Sequence, residues 1–331
     1  MKALVLTGTE QMNLSELMIP EPIPNEVMIK VKNCGICGTD VHIYHGDPGS
    51  AEVTPPVVLG HELSGEVVAI GEHVTNFKVG DRVAVDPNIY CGKCKYCRSG
   101  KVHLCSHLSA VGVTRNGGME EYVLVPEANC YQLPDSMSYE QGAMVEPLSC
   151  VLHGFKQLTI RPNDRVLIVG GGFIGMLFLQ VIRNHTFGSI VVNEINQAKH
   201  EVLKQLGATE VVSEINSTLY NQFDIVIECV GKRITIENAV KCADKGAQLL
   251  LFGVPSPNEV VEITPYDIFN KELTISGSFI NPFTLDEAIQ LLNKGIVDIE
   301  PLISHRIKLE EVQSVLENYP KLGITKALIT L

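Results

Sequence analysis

The chain of 331 residues carries 26 basic and 38 acidic side chains, which gives a formal net charge of −12. This acidity argues against a nucleic-acid partner and against an anionic membrane surface, because both bind clustered lysine and arginine. Hydrophobic residues make up 45% of the sequence and charged residues 19%, so the chain can bury a large core and lacks the composition of a disordered protein. The length suits two domains.

The start of the chain, M-K-A-L-V-L-T-G, lacks the longer apolar run and the small-residue cleavage site of a secretory signal. The apolar run from Val166 to Ile182 contains four glycines and is 17 residues long, which is shorter than a membrane-spanning helix requires. The ten cysteines include a tight cluster, and such a cluster in a cytosolic chain binds metal more often than it forms disulfides. We therefore expect a cytoplasmic protein without a membrane partner.

Short strands predict a mostly β region in the first part of the chain. Glycine and proline residues separate these strands, and three prolines between the first two exclude a helix there. Many short strands with such punctuation are typical of a barrel-like architecture. The predicted strands cover residues 2–6, 27–32 and 67–70, and residues 79–85 are predicted as a turn followed by a further strand.

A motif of nine residues, C-G-I-C-G-T-D-V-H from Cys34 to His42, places a thiol, a hydroxyl and an imidazole close together in sequence. Cys37 is a candidate metal ligand, because a thiolate between two glycine turns can approach a bound group closely. Thr39 and His42 would then form a path for a proton. The alternative for His42 is an ordinary histidine of a surface loop, since spacing alone does not establish relay geometry.

Two further segments supply candidate ligands. His61 and Glu62 directly follow Gly60, where a ligand-bearing loop is expected. Glu146 lies in an otherwise apolar stretch, M-V-E-P-L-S-C-V-L-H-G, directly before a proline. Because an unpaired buried carboxylate is costly, Glu146 is expected to have a cation or a metal as its partner.

Four cysteines follow one another with the spacing C-x2-C-x2-C-x7-C. Four thiolates form a closed tetrahedral set for Zn²⁺, which is the arrangement of a structural site with no position for a substrate. The surrounding lobe, about residues 88–108, has little predicted regular structure, so the metal would act as its core. An iron–sulfur cluster and four unrelated cysteines are the alternatives. The four are Cys91, Cys94, Cys97 and Cys105.

After Arg165 the pattern changes to a buried strand, a glycine-rich turn and an apolar helix. The turn fits G-x-G-x-x-G, in which the glycines permit close approach of a pyrophosphate to the helix N-terminus. The sequence therefore predicts a dinucleotide-binding turn. Its candidate residues are Gly170, Gly172, Phe173, Ile174 and Gly175.

Glu194 ends the next predicted strand, 19 residues after the last glycine of the turn. An acidic side chain at this distance binds the 2′-hydroxyl of the adenosine ribose and repels a 2′-phosphate. The sequence thus favours NAD over NADP. The alternative is a glutamate that only ends a strand at the surface.

The remaining sequence alternates between strands and helices, which predicts a doubly wound parallel sheet and an α/β class. The final segment is expected to return to the first domain, with residues 328–331 as an edge strand. The predicted strands are 223–231, 247–254 and 273–279, and the predicted helices are 201–208 and 284–294.

Taken together and in this order, these motifs resemble the zinc-dependent medium-chain dehydrogenases over nearly the whole chain. The matching pieces are C-G-I-C-G-T-D-V-H, G-H-E at 60–62, the cysteine quartet, E-P-L-S at 146–149 and G-G-G-F-I-G at 170–175. The resemblance implies a GroES-like, mostly β catalytic domain over residues 1–150, a Rossmann NAD-binding domain over 151–287 and a return over 288–331. It also implies a homodimer or homotetramer.

The resemblance assigns the catalytic zinc to Cys37 and His61. In many alcohol dehydrogenases a third cysteine binds this zinc, and that place falls here on Glu146, as in the polyol branch typified by sorbitol dehydrogenase. In that branch the glutamate of G-H-E, here Glu62, can also bind zinc, so the direct carboxylate ligand stays open. Two zinc ions per chain are implied, one catalytic and one structural.

The implied reaction is NAD-linked oxidation of a secondary hydroxyl of a polyol, with or without a phosphate, to the ketone. The zinc would lower the pKa of the hydroxyl, and Thr39 and His42 would carry its proton away. Other secondary alcohols, of the 2,3-butanediol or L-threonine type, are alternative substrates. A zinc- and dinucleotide-binding sensor without turnover is the alternative outside enzymes. For a phosphorylated substrate, Arg115 is a candidate cation, with a solvated loop arginine as the alternative.

Overall fold

The computed structural model describes residues 1–331, and the chain divides into two compact units. The first unit comprises Met1–Ser149, Ile280–Gly295 and Ile299–Leu331. The second unit comprises Cys150–Phe279 and Ile296–Asp298. The chain therefore leaves the first unit after Ser149 and returns to it at Ile280.

Eighteen strands are present. In chain order they are β1 (Lys2–Gly8), β2 (Gln11–Glu16), β3 (Glu26–Ile36), β4 (Val57–Val58), β5 (Glu62–Ile70), β6 (Arg82–Val85), β7 (Asn88–Ile89), β8 (Ser109–Ala110), β9 (Tyr122–Pro126), β10 (Cys130–Gln132), β11 (Val166–Val169), β12 (Ile190–Asn193), β13 (Glu210–Val212), β14 (Phe223–Glu228), β15 (Ala243–Leu251), β16 (Thr274–Gly277), β17 (His305–Ile307) and β18 (Ala327–Thr330).

Ten α-helices accompany these strands, and none of them has both the length and the apolar character needed to cross a membrane. In chain order they are α1 (Gly38–Tyr44), α2 (Lys95–Arg98), α3 (Tyr139–Ala143), α4 (Val145–Phe155), α5 (Phe173–Ile182), α6 (His200–Gln205), α7 (Arg233–Cys242), α8 (Pro265–Lys271), α9 (Leu285–Asn293) and α10 (Val312–Asn318).

The first unit is mostly β, as the sequence predicts. Its main sheet has seven strands in the order β10-β6-β5-β3-β18-β17, and β9 also pairs with β3. A three-stranded sheet, β2-β1-β4, and the two-stranded pair of β7 and β8 complete it. Alternation of buried and partly exposed residues, clear in β9, gives these strands one face for the core.

The last strand corrects one prediction. β18 was expected at a sheet edge, but it lies between β3, to which it is antiparallel, and β17, to which it is parallel. β17 has only three residues, which is too short to give a period-2 signal in the sequence. Central position explains why Ala327, Leu328 and Ile329 are all fully buried.

The return to the first unit begins at Ile280, eight residues before the predicted residue 288. Buried hydrogen bonds account for the earlier point. Asn281 donates its side-chain amide to Ser149 Oγ at 2.8 Å and accepts from Asn88 Nδ2 at 2.7 Å. Thr284 Oγ1 donates to the Ser149 carbonyl at 2.7 Å. These polar groups would be unsatisfied elsewhere, so they tie the segment after residue 279 to the first unit.

The second unit contains a six-stranded parallel sheet in the order β13-β12-β11-β14-β15-β16. From β11 the chain runs outward through β12 and β13, and it then resumes on the other side of β11 with β14. The strand order therefore reverses between β11 and β14, where doubly wound sheets bind their ligands. β11 is buried at every position, as expected for a strand that helices cover on both faces. The predicted α/β class is confirmed.

Candidate active site

Three strand ends meet in the first unit. β5 and β18 both run antiparallel to β3, so their first residues lie beside the last residues of β3. The register pairs Gly35 with Glu62 and Ile36 with Ala327. Cys37 directly follows β3, and Glu62 is the first residue of β5. The sheet therefore brings the C-G-I-C-G motif and the G-H-E motif together.

Cys37, His61 and Glu62 form a compact ligand group. One ligand atom from each of these side chains lies within 4.8 Å of the others. His61 and Glu62 are buried, and Cys37 is half-buried. A thiolate, an imidazole and a carboxylate form a donor set that zinc accepts, with room for a fourth ligand in a tetrahedral site.

Cys37 caps the helix that carries the predicted proton path. It is the N-cap residue of α1, and its backbone N–H donates to Asp40 Oδ2 at 2.8 Å. Thr39 Oγ1 lies 3.6 Å from Cys37 Sγ. His42 is three residues further along α1 and partly exposed, so Thr39 and His42 are neighbours on the helix surface.

Asp40 orients His61. The Asp40 side chain is fully buried, and its Oδ1 lies 3.4 Å from Nδ1 of His61, which leaves Nε2 as the nitrogen available to a metal. A carboxylate beside the far nitrogen is a common support of metal-binding histidines. Burial lowers the pKa of His61, but the Asp40 and Cys37 charges outweigh it and raise this pKa well above its ordinary value. Asp40 lies inside the first motif, but its spacing there did not indicate this role.

Lys326 is a second residue of this site that no sequence motif indicated. Its Nζ donates to Glu62 Oε1 at 2.6 Å, contacts Glu62 Oε2 and donates to the Ile36 carbonyl at 3.1 Å. Burial lowers the pKa of Lys326, but the negative charge of Glu62 outweighs burial and raises this pKa overall. The signal in the sequence was a lysine directly before the apolar run A-L-I-T-L.

Glu146 lies in the first turn of α4 and is 7% exposed. It is not one of the three residues of the compact ligand group. Its backbone carbonyl accepts a hydrogen bond from Ser149 Oγ at 2.5 Å, which helps to fix this turn. Glu146 is thus buried, as the sequence predicts, and its role as a carboxylate ligand of the catalytic zinc stays a prediction.

The donor set fits a metal in one further respect. His61 Nδ1, Asp40 Oδ1 and Glu62 Oε2 are buried without a hydrogen bond of regular geometry. Such atoms are costly in an apolar interior unless a charge compensates them. Lys326 contacts Glu62 Oε2, and Asp40 Oδ1 faces His61 Nδ1, so a divalent cation at Cys37 Sγ and His61 Nε2 would complete the charge balance of this group. The residues present are therefore suited to zinc.

The cysteine quartet forms a separate site. One sulfur from each residue lies within 4.8 Å of the others, and the separations of Cys91 from Cys97 and of Cys94 from Cys105 are both 4.0 Å. Four zinc–sulfur bonds of about 2.3 Å place tetrahedral sulfurs about 3.8 Å apart, so this spacing fits. Backbone N–H groups of Cys97 and Ser106 lower the pKa of the Cys94 thiol to about 5. Cys94 is therefore prepared to bind metal as a thiolate, whereas burial raises the pKa of the Cys97 thiol to about 12, so a metal bound at the quartet would have to displace that proton.

The glycine-rich turn lies in the second unit between β11 and α5. Gly170 has φ of +102°, a conformation that favours glycine. A Cβ on Gly175 would lie 1.9 Å from the Gly170 carbonyl oxygen, so only glycine permits this packing of helix against strand. A Cβ on Gly172 would meet nothing within 4 Å, which leaves open space before the first turn of α5, where Phe173 and Ile174 lie. This geometry suits a bound pyrophosphate.

Glu194 lies beside the turn. The Gly170 N–H donates to the Asn193 carbonyl at 2.9 Å, and a Cβ on Gly171 would come within 2.8 Å of Glu194 Cβ. Glu194 Oε1 accepts from the Asn196 N–H at 2.7 Å. This hydrogen bond holds the carboxylate at the carboxyl end of β12, next to the predicted pyrophosphate position.

Arg115, the candidate cation for a phosphorylated substrate, is paired with an acidic side chain of the protein itself. Its Nη2 donates to Glu26 Oε1 at 2.7 Å and to the Leu124 carbonyl at 3.3 Å. Glu26 is buried, so this ion pair uses the charge of Arg115 to compensate a buried acid. The structure therefore gives no support to Arg115 as a substrate cation.

Comparison with known proteins gives the family. The alcohol dehydrogenase GroES-like domain family matches residues 23–135, and the zinc-binding dehydrogenase family matches residues 174–294. Sorbitol dehydrogenase of Bacillus subtilis (strain 168) is 33% identical over 96% of this chain and 93% of its own length. L-threonine 3-dehydrogenase of Pectobacterium atrosepticum is 34% identical over 95% of this chain and 89% of its own length.

A solved structure agrees with these relatives. A protein described as a zinc-binding dehydrogenase from Sinorhizobium meliloti 1021, bound to NADP, has a TM-score of 0.95 and 37% identity. The alignment covers 100% of this chain and 99% of that chain. The resemblance inferred from the motifs is thus confirmed. The chain belongs to the zinc-dependent medium-chain alcohol and polyol dehydrogenase family and is an NAD(P)-dependent oxidoreductase that acts on a small-molecule alcohol.

Proposed function

We propose that this chain oxidises a secondary hydroxyl of a polyol to the ketone, with NAD as the acceptor and with zinc at Cys37 and His61. The observation that carries the proposal is the compact group of one thiol, one imidazole and one carboxylate. Such a mixed set leaves a coordination position for substrate, whereas four thiolates do not. The similarity to sorbitol dehydrogenase supports the polyol, and the E-P-L-S sequence at Glu146 supports the same branch.

Each residue of the group has a proposed role. Zinc bound there would act as a Lewis acid that lowers the pKa of a substrate hydroxyl. Cys37 and His61 bind it, and Asp40 keeps the His61 ring in the orientation that presents Nε2. Glu62 and Glu146 are the two candidates for the carboxylate ligand. Thr39, next to Cys37, accepts the hydroxyl proton, and His42 passes it toward solvent.

The second unit supplies the cofactor site. Gly170, Gly172 and Gly175 admit the pyrophosphate against the start of α5, and Glu194 binds the adenosine ribose. The buried Glu194 carboxylate would repel a 2′-phosphate, which supports NAD over NADP. We also propose a second, structural zinc in the cysteine quartet, supported by the sulfur spacing.

A homodimer or homotetramer completes the proposal. β16 ends the six-stranded sheet, so one of its edges is available to a further strand. Tyr266 and Phe269, on the neighbouring α8, are 66% and 78% exposed. An apolar surface beside an open sheet edge supports pairing with a second copy. None of the ten cysteines forms a disulfide, which supports the reducing environment of the cytoplasm.

Oxidation of threonine is a second candidate, because a threonine dehydrogenase is equally similar in sequence. NADH formation should be measured with polyols, their phosphates, 2,3-butanediol and L-threonine, using NAD and NADP in parallel. The proposal predicts the highest kcat/KM for one polyol with NAD, loss of activity on chelation and its recovery with zinc. A preference for threonine, or activity that chelation does not reduce, would contradict it.

A further inference from the structure

An ion pair is buried inside the candidate metal site. Lys326 is 2% exposed and Glu62 is 1% exposed. The lysine contacts both carboxylate oxygens of Glu62 and also donates to the Ile36 carbonyl at the end of β3. Lysine is almost never fully buried without a charged partner, so the pair is a built feature of the site.

The Glu62 carboxylate is confined on a second side. A Cβ on Gly35 would lie 2.0 Å from Glu62 Oε2, so this oxygen packs directly against the Gly35 backbone. The register of β3 and β5 pairs the same two residues. Gly35 and Lys326 thus hold the carboxylate in one place, which explains why the position of Gly35 requires glycine.

The charges of the site make the lysine important for metal binding. A Cys37 thiolate, the Glu62 carboxylate and the Asp40 carboxylate each contribute one negative charge. Lys326 contributes a positive charge in direct contact with one of the three ligand residues. Because an ammonium and a divalent cation are attracted to the same carboxylate oxygens, each weakens the hold of the other.

We propose that Lys326 is a positioning residue that neutralises Glu62 and thereby weakens the binding of zinc by this group. The inference rests on the proposed function, since it assumes that Cys37 and His61 bind a catalytic metal. Lys326 would prevent Glu62 from binding the metal at full strength. A coordination position then stays available for the substrate hydroxyl, and the ligands neutralise less of the positive charge of the metal.

The test is a cycle of variants in which zinc affinity is the readout. Wild type, Lys326→Met, Glu62→Gln and the double variant are compared by zinc competition with a chromophoric chelator, with the quartet zinc retained. Lys326→Met is expected to bind zinc at least about tenfold more tightly, because one nearby positive charge is removed. Glu62→Gln is expected to bind at least about tenfold more weakly, and the double variant is expected to match Glu62→Gln within about threefold, because the lysine acts through the carboxylate that both variants lack. Lys326→Arg keeps the charge and is expected to match wild type.

A merely structural lysine gives a different result. Loss of packing would weaken zinc binding in Lys326→Met, and unchanged or weaker binding in the folded variant would overturn the proposal. Should Lys326→Met not fold, Lys326→Gln takes its place with the same expected tightening of at least about tenfold, and zinc binding equal to or weaker than that of wild type would overturn the proposal. The absorption spectrum of Co²⁺ in the site gives an independent readout, in which a stronger Glu62 ligand in Lys326→Met changes the d–d bands.

A Cys37→Ser control separates this inference from the proposed function. Loss of one zinc in that variant supports the site itself, and then only the Lys326 comparison decides the role of the lysine. An unchanged zinc content in Cys37→Ser would overturn both, because no metal would bind where the ion pair lies.

Discussion

The cysteine quartet and the Cys37–His61–Glu62 group lie in the same unit but differ in how the chain supports them. The quartet lies around α2, a single turn of helix, and backbone N–H groups of its own loop donate to the sulfurs. The second group lies at the ends of long paired strands, and its support comes from the side chains of Asp40 and Lys326. A metal in the quartet would thus stabilise a segment that has little regular structure. In the second group the paired strands instead hold the ligand residues in position.

The donor atoms of the two candidate metal sites also differ in chemistry. Four thiolates saturate a tetrahedral metal, and the quartet then has nothing to offer a substrate. The mixed group has fewer thiolate charges, a buried counter-cation and a neighbouring hydroxyl on Thr39. The comparison assigns stability to the first site and reactivity to the second. Four variants can break or sharpen that assignment.

Replacement of Cys94 by serine is expected to have the largest effect. It removes one of four ligands from a lobe whose regular structure is one helical turn and one short 3₁₀ segment. Structural zinc contributes about 10 kcal/mol to the folding of small domains. Loss of even several kcal/mol of stability should lower the midpoint of thermal unfolding by roughly 10 °C or more. Calorimetry together with zinc content checks this. A stable, active variant with one zinc would show that the quartet is dispensable.

Cys37→Ser should reduce turnover and leave thermal stability nearly unchanged, in contrast to Cys94→Ser. Turnover is expected to fall by about 1,000-fold, or about 4 kcal/mol, because the metal loses its thiolate ligand. Thermal stability should change little, since Cys37 is half-buried and follows a strand that stays paired. Steady-state kinetics and thermal unfolding of the same sample provide the check. Turnover near that of wild type would remove Cys37 from the reaction.

Glu120 sharpens the comparison because it is a buried acid outside both metal groups. It is 2% exposed, its Oε2 has no hydrogen-bond partner, and burial raises its pKa to about 8. In the unfolded chain the Glu120 carboxyl ionises near pH 4.5. Unfolding between about pH 4.5 and pH 8 therefore releases its proton, and the free energy of unfolding falls as the pH rises through this range. Glu120→Gln should remove this loss and gain about 2–4 kcal/mol relative to wild type between pH 5 and pH 8.

Urea unfolding of both proteins at several pH values measures that difference. The expected curves of stability against pH converge near pH 5 and separate as the pH rises. Parallel curves would mean that Glu120 is ionised in the folded protein, and a charged partner for it would then have to exist.

Asp40→Asn should have the smallest of the four effects. Asp40 contacts His61 and the Cys37 backbone without being a ligand, and such supports are worth about 10- to 100-fold in metal affinity or activity. The amide keeps the helix cap, so the fold should persist. Zinc affinity and kcat should fall together, and unchanged values would show that His61 needs no carboxylate to hold its orientation.

The sequence was informative where a function depends on residues close in the chain. The cysteine quartet, the glycine turn and the first motif each lie within a short segment, and the structure brings their members together. Lys326 was missed because its partner Glu62 is 264 residues away, and only the central position of β18 brings the two together. Asp40 was missed because its role depends on the direction of a side chain, which spacing does not reveal.

The most direct test of the comparison is the release of the two zinc ions during chelation, timed against activity and against far-UV circular dichroism. We expect one zinc to leave first and activity to fall with it, while the circular dichroism spectrum remains that of the folded protein. The second zinc should leave only as the lobe around the cysteine quartet unfolds. If activity instead survives the loss of the first zinc and disappears with the second, the catalytic role of the Cys37–His61–Glu62 group is contradicted.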